Sequence, residues 1–167
     1  MTVLAKDGPR HFVFHPNGKF VYLLCETSAT LYMFDYDSQT GVLTQRQNTS
    51  CKINGYSYAG SNGWHTADIH ITPNGSFIYA SVRITSTLAA FKVAPATATV
   101  NLIAQFPTET QPRSFNIDPT GRYLLAAGQA SDHVAVYAIN GDSGELAFLK
   151  RYRVGKNPNW IEFVTFP

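Results

Sequence analysis

An all-β fold, a β-propeller of four-stranded blades, is predicted by three observations. One hairpin is written three times: Pro9-Arg10-His11-Phe12-Val13-Phe14-His15-Pro16-Asn17-Gly18, then Ala67-Asp68-Ile69-His70-Ile71-Thr72-Pro73-Asn74-Gly75, then Pro112-Arg113-Ser114-Phe115-Asn116-Ile117-Asp118-Pro119-Thr120-Gly121. The turn prolines Pro16, Pro73 and Pro119 lie 57 and 46 residues apart, and Pro112 and Pro158 repeat the 46-residue step. The intervening chain consists of short β-branched and aromatic runs separated by turn residues, the pattern of strands. Such a unit cannot bury its faces alone and must stack on copies of itself. Periods of roughly 40–50 residues with short strands point to propeller blades.

The first blade, near 9–50, takes strands at Arg10–Phe14, Phe20–Cys25, Thr30–Tyr36 and Leu43–Gln47. The second, near 64–107, takes them at Asp68–Ile71, Phe77–Val82, Thr87–Val93 and Val100–Phe106. The third, near 111–153, takes them at Ser114–Ile117, Tyr123–Ala127, His133–Ile139 and Leu146–Arg153. In each inner turn Pro presets φ and Gly accepts the positive φ that closes the loop. His15, Thr72 and Asp118 share one position of that turn and are read as its caps. Asp37 to Gly41 and Asn140 to Gly144 mark outer hairpins. The longer first interval is assigned to Cys51–Gly63, a segment rich in Gly, Asn, Ser and Tyr, read as an inserted loop and candidate lid. A fourth unit opens at Asn157-Pro158-Asn159-Trp160 and supplies one closing strand, 159–166. Three blades and a strand fall short of the usual minimum of about 4 blades. The chain is therefore expected to be the C-terminal half of a longer ring, completed by missing N-terminal blades or by a second copy.

Composition narrows the function. Charged residues are only 14% and the net charge is +2, with no Lys/Arg block. Nucleic-acid and anionic-membrane binding are unsupported. No apolar run approaches the ~18 residues of a membrane span, and Met1 to Arg10 lacks the apolar core of a secretion signal. Cys25 and Cys51 form no C-x-x-C pair, so two free thiols in a reducing cytosol are expected. Asn48-Thr49-Ser50 and Asn74-Gly75-Ser76 match the glycosylation pattern without a secretory context.

The polar positions of the repeat carry the candidate chemistry. Eight residues before each turn glycine stand Arg10, Ala67 and Arg113, and eight after it stand Glu26, Arg83 and Gln129. Residues equidistant from a hairpin turn lie near one another. Arg10 is thus predicted beside Glu26, Ala67 beside Arg83, and Arg113 beside Gln129, all on one rim of a central channel. Three guanidinium groups converging there suit phosphate or carboxylate oxygens. A lone Glu26 among them is a candidate acid or base. His11, Trp64 and His65 flank the same end. A structural ion pair between Arg10 and Glu26 is the competing reading. His65, Asp68 and His70 resemble a metal cluster in one dimension, but packing between blades explains them better, and no metal or other cofactor is expected. Cys25 reads as a small core residue rather than a nucleophile.

These motifs resemble the lactonase seven-bladed propeller family. The resemblance is carried by Gly8-Pro9-Arg10-His11 with Phe14-His15-Pro16-Asn17-Gly18 and Glu26, by Ala67 to Gly75 with Arg83, and by Thr108 to Asn116 with Ala126-Ala127-Gly128-Gln129. Arg151 to Gly155, Pro158 and Trp160 also fit. The phrasing is most similar to the bacterial branch acting on 6-phosphogluconolactone. The resemblance implies a fragment of a seven-bladed ring and metal-free opening or closing of a lactone at the channel mouth. It implies Arg10, Glu26 and Arg83 as catalytic candidates and Arg113, His11, Gln129 and His65 as substrate-binding candidates. The family's assigned His lies upstream of the matched motifs, and Cys25 and Val82 stand where members often carry Asn.

The expectation is hydrolysis of an anionic sugar-phosphate lactone in the cytoplasm, a step of the pentose phosphate pathway. Arg10, Arg83 and Arg113 would hold the phosphate and developing oxyanion, and Glu26 would position or deprotonate water. Lactone formation on a muconate-type dicarboxylate, and a non-catalytic propeller that binds a ligand or protein at its rim, are the alternatives.

Overall fold

Twelve strands alternate with tight turns in a computed structural model that describes residues 3–53 and 63–165. They form three four-stranded antiparallel sheets, each from consecutive strands. The first blade holds β1 (Pro9–Phe14), β2 (Phe20–Cys25), β3 (Thr30–Tyr36) and β4 (Leu43–Ser50). The second holds β5 (Thr66–Ile71), β6 (Phe77–Val82), β7 (Thr87–Val93) and β8 (Val100–Pro107). The third holds β9 (Pro112–Ile117), β10 (Tyr123–Gly128), β11 (His133–Ile139) and β12 (Leu146–Arg153). The sheets are propeller blades, with β1, β5 and β9 innermost.

Period-2 alternation distributes each blade's side chains between two neighbours. On β2, Tyr22 and Leu24 face the second blade and join Ile69, Ile78 and Phe91 in one core. Leu23 and Cys25 face the opposite side, with Tyr32 and Phe34. On β6, Ile78 and Ala80 enter the first core, while Phe77 and Tyr79 enter a second with Phe115, Leu124 and Tyr137 of the third blade. Fully burying such a side chain is worth ~1.5–3 kcal/mol, so stacking holds the blades together. Two buried tyrosines add a polar tie. Tyr22 Oη donates to Ala98 O at 2.7 Å, and Tyr79 Oη donates to Gly144 O at 2.8 Å. Each spans from the second strand of one blade to the outer turn of the next.

The inner turns interlock in the same sense. A Cβ on Gly75 would lie 2.7 Å from His15 Nε2, and one on Gly121 would lie 3.0 Å from Pro73 Cδ. Both glycines also have positive φ, +75° and +71°. The shared turn position does cap the turn. His15 Nδ1 accepts from Asn17 N, Thr72 Oγ1 from Phe77 N, and Asp118 from the Thr120, Arg122 and Tyr123 amides.

Two expectations change. The inner hairpins do not keep one register to their open ends. The β1–β2 ladder shifts between Pro9 and His11, the β5–β6 ladder between Thr66 and Ile69, and the β9–β10 ladder leaves Arg113 unpaired between Pro112 and Ser114. A β-bulge of this kind re-aims the side chain it carries. Beyond it the backbone pairing is the same in every blade: Glu26 N donates to Gly8 O, Arg83 N to His65 O, and Gln129 N to Gln111 O. Those three acceptors, and Asn157 at the head of the fourth unit, all have left-handed backbones, with φ of +69°, +52°, +53° and +57°.

The closing segment is the second change, because residues 158–165 form no strand. Ile161 N donates to Ser114 Oγ at 3.2 Å and Ile161 O accepts from Asn116 Nδ2 at 3.2 Å. It thus lies along β9 through side-chain bonds, and no second strand of its own blade stands among the described residues to form a backbone ladder with it. Most of the inserted loop read as a lid, residues 54–62, lies outside the described residues.

Candidate active site

The bulges and the rotational relation of the blades together build the site. Equivalent residues of adjacent blades, 57 positions apart, meet one another. Arg10 Nε donates to Ala67 O at 2.8 Å, His11 Nδ1 lies 3.0 Å from Asp68 Oδ1, and Glu26 pairs with Arg83. Arg10 Nη1 also donates to Glu26 Oε2 at 3.1 Å, the pairing expected within the hairpin.

Glu26 is the hub. Its Oε2 takes Arg10 from β1, and its Oε1 takes Arg83 Nη2 from the end of β6. His65 Nδ1 stands 3.7 Å from the same Oε1. The glutamate backbone is equally fixed, since Glu26 O accepts from Thr66 N and Cys25 O from Thr66 Oγ1. The side chains of Glu26, Arg10 and Arg83 are 30%, 21% and 15% exposed, so the cluster opens to solvent on one side. Burial lowers the Arg83 pKa below its ordinary value. Glu26 opposes that, and the nearby charges of Arg10 and Arg113 add to it. Even so, a guanidinium remains charged in proteins.

The other expected pairings are not made. Arg83 does not turn to Ala67: its Nε donates to His65 O at 3.0 Å, and Ala67 O is occupied by Arg10. Arg113 makes no bond to Gln129: it lines a cleft with Arg10 and His11, while Gln129 N donates to Gln111 O. No carboxylate pairs with Arg113 among the described residues. His65, Asp68 and His70 separate as well. His65 joins Glu26 and Arg83, while His70 Nε2 lies 3.4 Å from Asp68 Oδ2.

Three clefts follow this rim. One of about 370 Å³ is lined by His65, Arg83, Ile84, Ser86, Thr110 and Gln111. A second, of about 300 Å³, is lined by Arg10, His11, Arg113, Asn159 and Trp160. The third, also about 300 Å³, runs from Arg10, His11 and Trp160 down to Asp68 and His70. Gln129 lines none of them. These volumes match small-molecule sites. Arg10, Arg83 and Arg113 outnumber Glu26 and Asp68, so the rim favours an anionic guest.

Asp68 is the residue that sequence reasoning missed as a site component. Its side chain is 6% exposed. Burial works against its charge, yet the contacts with His70, with His11 and with the Phe115 amide outweigh burial and hold its pKa below the ordinary value. The signal was its repeat position, equivalent to His11.

No helix among the described residues is long and apolar enough to cross a membrane. Residues 1–163 match the profile of the family described as Lactonase, 7-bladed beta-propeller. A 6-phosphogluconolactonase of Pectobacterium atrosepticum is 42% identical over 161 residues, covering 96% of this chain and 47% of that protein. One from Serratia proteamaculans is 40% identical, covering 98% and 48%. The solved periplasmic gluconolactonase of Pseudomonas aeruginosa superposes with a TM-score of 0.90 at 28% identity, over 100% of this chain and 45% of that one. The chain spans about half the length of the curated relatives it matches.

Proposed function

Because the chain belongs to the lactonase seven-bladed β-propeller family, we propose that its rim serves hydrolysis of an anionic sugar lactone, 6-phosphogluconolactone in the first instance. Water adds to the lactone carbonyl, the ring C–O bond breaks, and a carboxylate and a hydroxyl result. The observation that supports this reading is Glu26 clamped between guanidinium groups of two blades, near an Arg113 that no carboxylate pairs with among the described residues.

The arrangement divides the work. Arg113 and the cleft face of Arg10 offer N–H groups to phosphate or to the developing oxyanion, as preorganised donors do at such sites. Glu26 holds Arg10 and Arg83 in place, so neither pays reorganisation when charge develops on the substrate. The relatives named as 6-phosphogluconolactonases support the choice of substrate. Cys25 and Cys51 are free and buried, which suits the cytoplasmic placement that goes with this activity.

The test measures lactone hydrolysis by this chain and by a chimera carrying it in place of the matching 161 residues of the Pectobacterium protein. In whichever is active, Glu26→Gln should lower kcat/KM at least ~100-fold, the scale of losing preorganised transition-state donors, with the fold intact. Unchanged turnover in Glu26→Gln removes the clamp from the mechanism. Turnover of a muconate-type dicarboxylate in place of the sugar lactone replaces the substrate assignment.

A further inference from the structure

The clamp role given to Glu26, each of whose oxygens accepts from one guanidinium N–H group, leaves the proton transfer unassigned. We propose that His11, oriented by Asp68, is the catalytic residue that takes the proton from the attacking water and returns it to the leaving ring oxygen. This inference rests on the lactone-hydrolase reading.

His11 stands on the inner strand of the first blade and reaches across to the second. Its Nδ1 lies 3.0 Å from Asp68 Oδ1. Asp68 is built in from all sides. Its backbone N donates to Ser81 Oγ at 3.0 Å, its Oδ1 accepts from Ile69 N at 3.0 Å, and its Oδ2 accepts from Phe115 N at 3.2 Å. Amides of β5 and β9 thus fix the carboxylate against the imidazole, while β6 holds the Asp68 backbone. A carboxylate on Nδ1 selects the tautomer with the proton there and leaves Nε2 as the acceptor. Among the described residues Nε2 has no partner, and the His11 side chain is 38% exposed.

The imidazole lines the cleft that also holds Arg10, Arg113 and Trp160. A lactone whose carbonyl oxygen meets those arginines has its reacting carbon beside a base. The second histidine on Asp68 is placed differently. The His70 ring sits edge-on to Phe115 at 4.9 Å and does not line the Arg113 cleft.

The step balances. As the water oxygen bonds to the carbonyl carbon, one water proton passes to His11 Nε2 and the carbonyl becomes an oxyanion. On its collapse the ring C–O bond breaks, and the Nε2 proton goes to the departing oxygen, which becomes a hydroxyl. The acid product loses its proton to solvent. Asp68 acts through His11 and is a positioning residue. The groups facing His11 are Asp68 and His70 from β5, Arg10 from its own strand and Arg113 from β9.

The test uses His11→Ala, His11→Gln and Asp68→Asn in the active form identified above. Loss of a general base costs ~10²–10⁴-fold, so His11→Ala should lower kcat by at least ~100-fold with KM within about threefold. Added imidazole should restore part of the His11→Ala rate, and the acid limb of the pH–kcat profile should vanish in both His11 variants. Asp68→Asn should lower kcat and move that limb. A folded His11→Ala or His11→Gln protein with kcat within threefold of the parent, or with the same acid limb, overturns the proposal. ¹⁵N NMR of this chain gives an arm independent of turnover. The His11 ring should carry its proton on Nδ1, and lose that preference in Asp68→Asn. A ring protonated on Nε2 alone refutes the dyad even if no lactone is hydrolysed, while an absence of turnover with the expected tautomer refutes only the substrate reading.

Discussion

Tyr79→Phe isolates the polar tie between the second and third blades. The ring is fully buried, and phenylalanine fills the same space, so the apolar contacts in the core survive. What disappears is one hydroxyl, donating at 2.8 Å to the carbonyl of Gly144, itself a buried residue of the next blade's outer turn. Stranding that acceptor costs ~1–3 kcal/mol. For a domain of 150–250 residues each kcal/mol lowers Tm by about 2–4 °C, so a mid-range loss of about 2 kcal/mol is a drop of roughly 4–8 °C. Urea unfolding followed by far-UV circular dichroism measures the loss, and the midpoint should fall without a change in slope. Tyr22→Phe should cost a similar amount, because its bond to Ala98 O repeats the geometry between the first and second blades. If Tyr79→Phe unfolds within about 0.5 kcal/mol of the parent, the effect of a neutral surface change, the tyrosines are only packing and the tie is refuted.

Gly75→Ala places a Cβ in left-handed backbone and 2.7 Å from His15 Nε2, so it should destabilise by about 1–3 kcal/mol in thermal melts. Adding His15→Ala should recover the steric part and leave the backbone part. Around Asp118, burial works to raise its pKa, but bonds from the Thr120 hydroxyl and from the Tyr123, Thr120 and Arg122 amides prevail and hold it below the ordinary value. A depressed folded-state pKa gives stability that is present above the unfolded carboxylate value of ~3.9 and lost as pH falls through the folded one. The acid side of the stability–pH curve should therefore flatten in Asp118→Asn, as urea midpoints taken below pH 5 will show.

The strands were legible because each repeat states its own pattern three times. The bounds expected for β2, β3, β6, β7, β11 and β12 are those observed. Inner strands begin one or two residues earlier than expected, at Pro9, Thr66 and Pro112. There a bulge interrupts a register that the turn alone implied to be continuous. The meeting of Arg10 with Glu26 was legible for the same reason, as a short-range consequence of one hairpin. Arg83 and His65 on Glu26 were not, since that contact depends on how one blade rotates onto the next. Asp68 was legible with His70 as packing between blades, but not as the partner of His11, because that contact too depends on how one blade rotates onto the next. The closing strand failed on other grounds. Its apolar content was correct for a strand, but strand character is conferred by a partner's backbone.

The left-handed residue that opens each unit is glycine in the first blade, histidine in the second, glutamine in the third and asparagine before the closing segment. A Cβ on Gly8 would lie 2.6 Å from Thr27 Oγ1, so the first of these positions is closed to side chains, whereas the second and third carry them at the rim. His65 and Gln111 already border one cleft from adjacent blades. One backbone turn thus serves two ends around the arc: close packing where it is glycine, and a cleft wall where it carries a side chain.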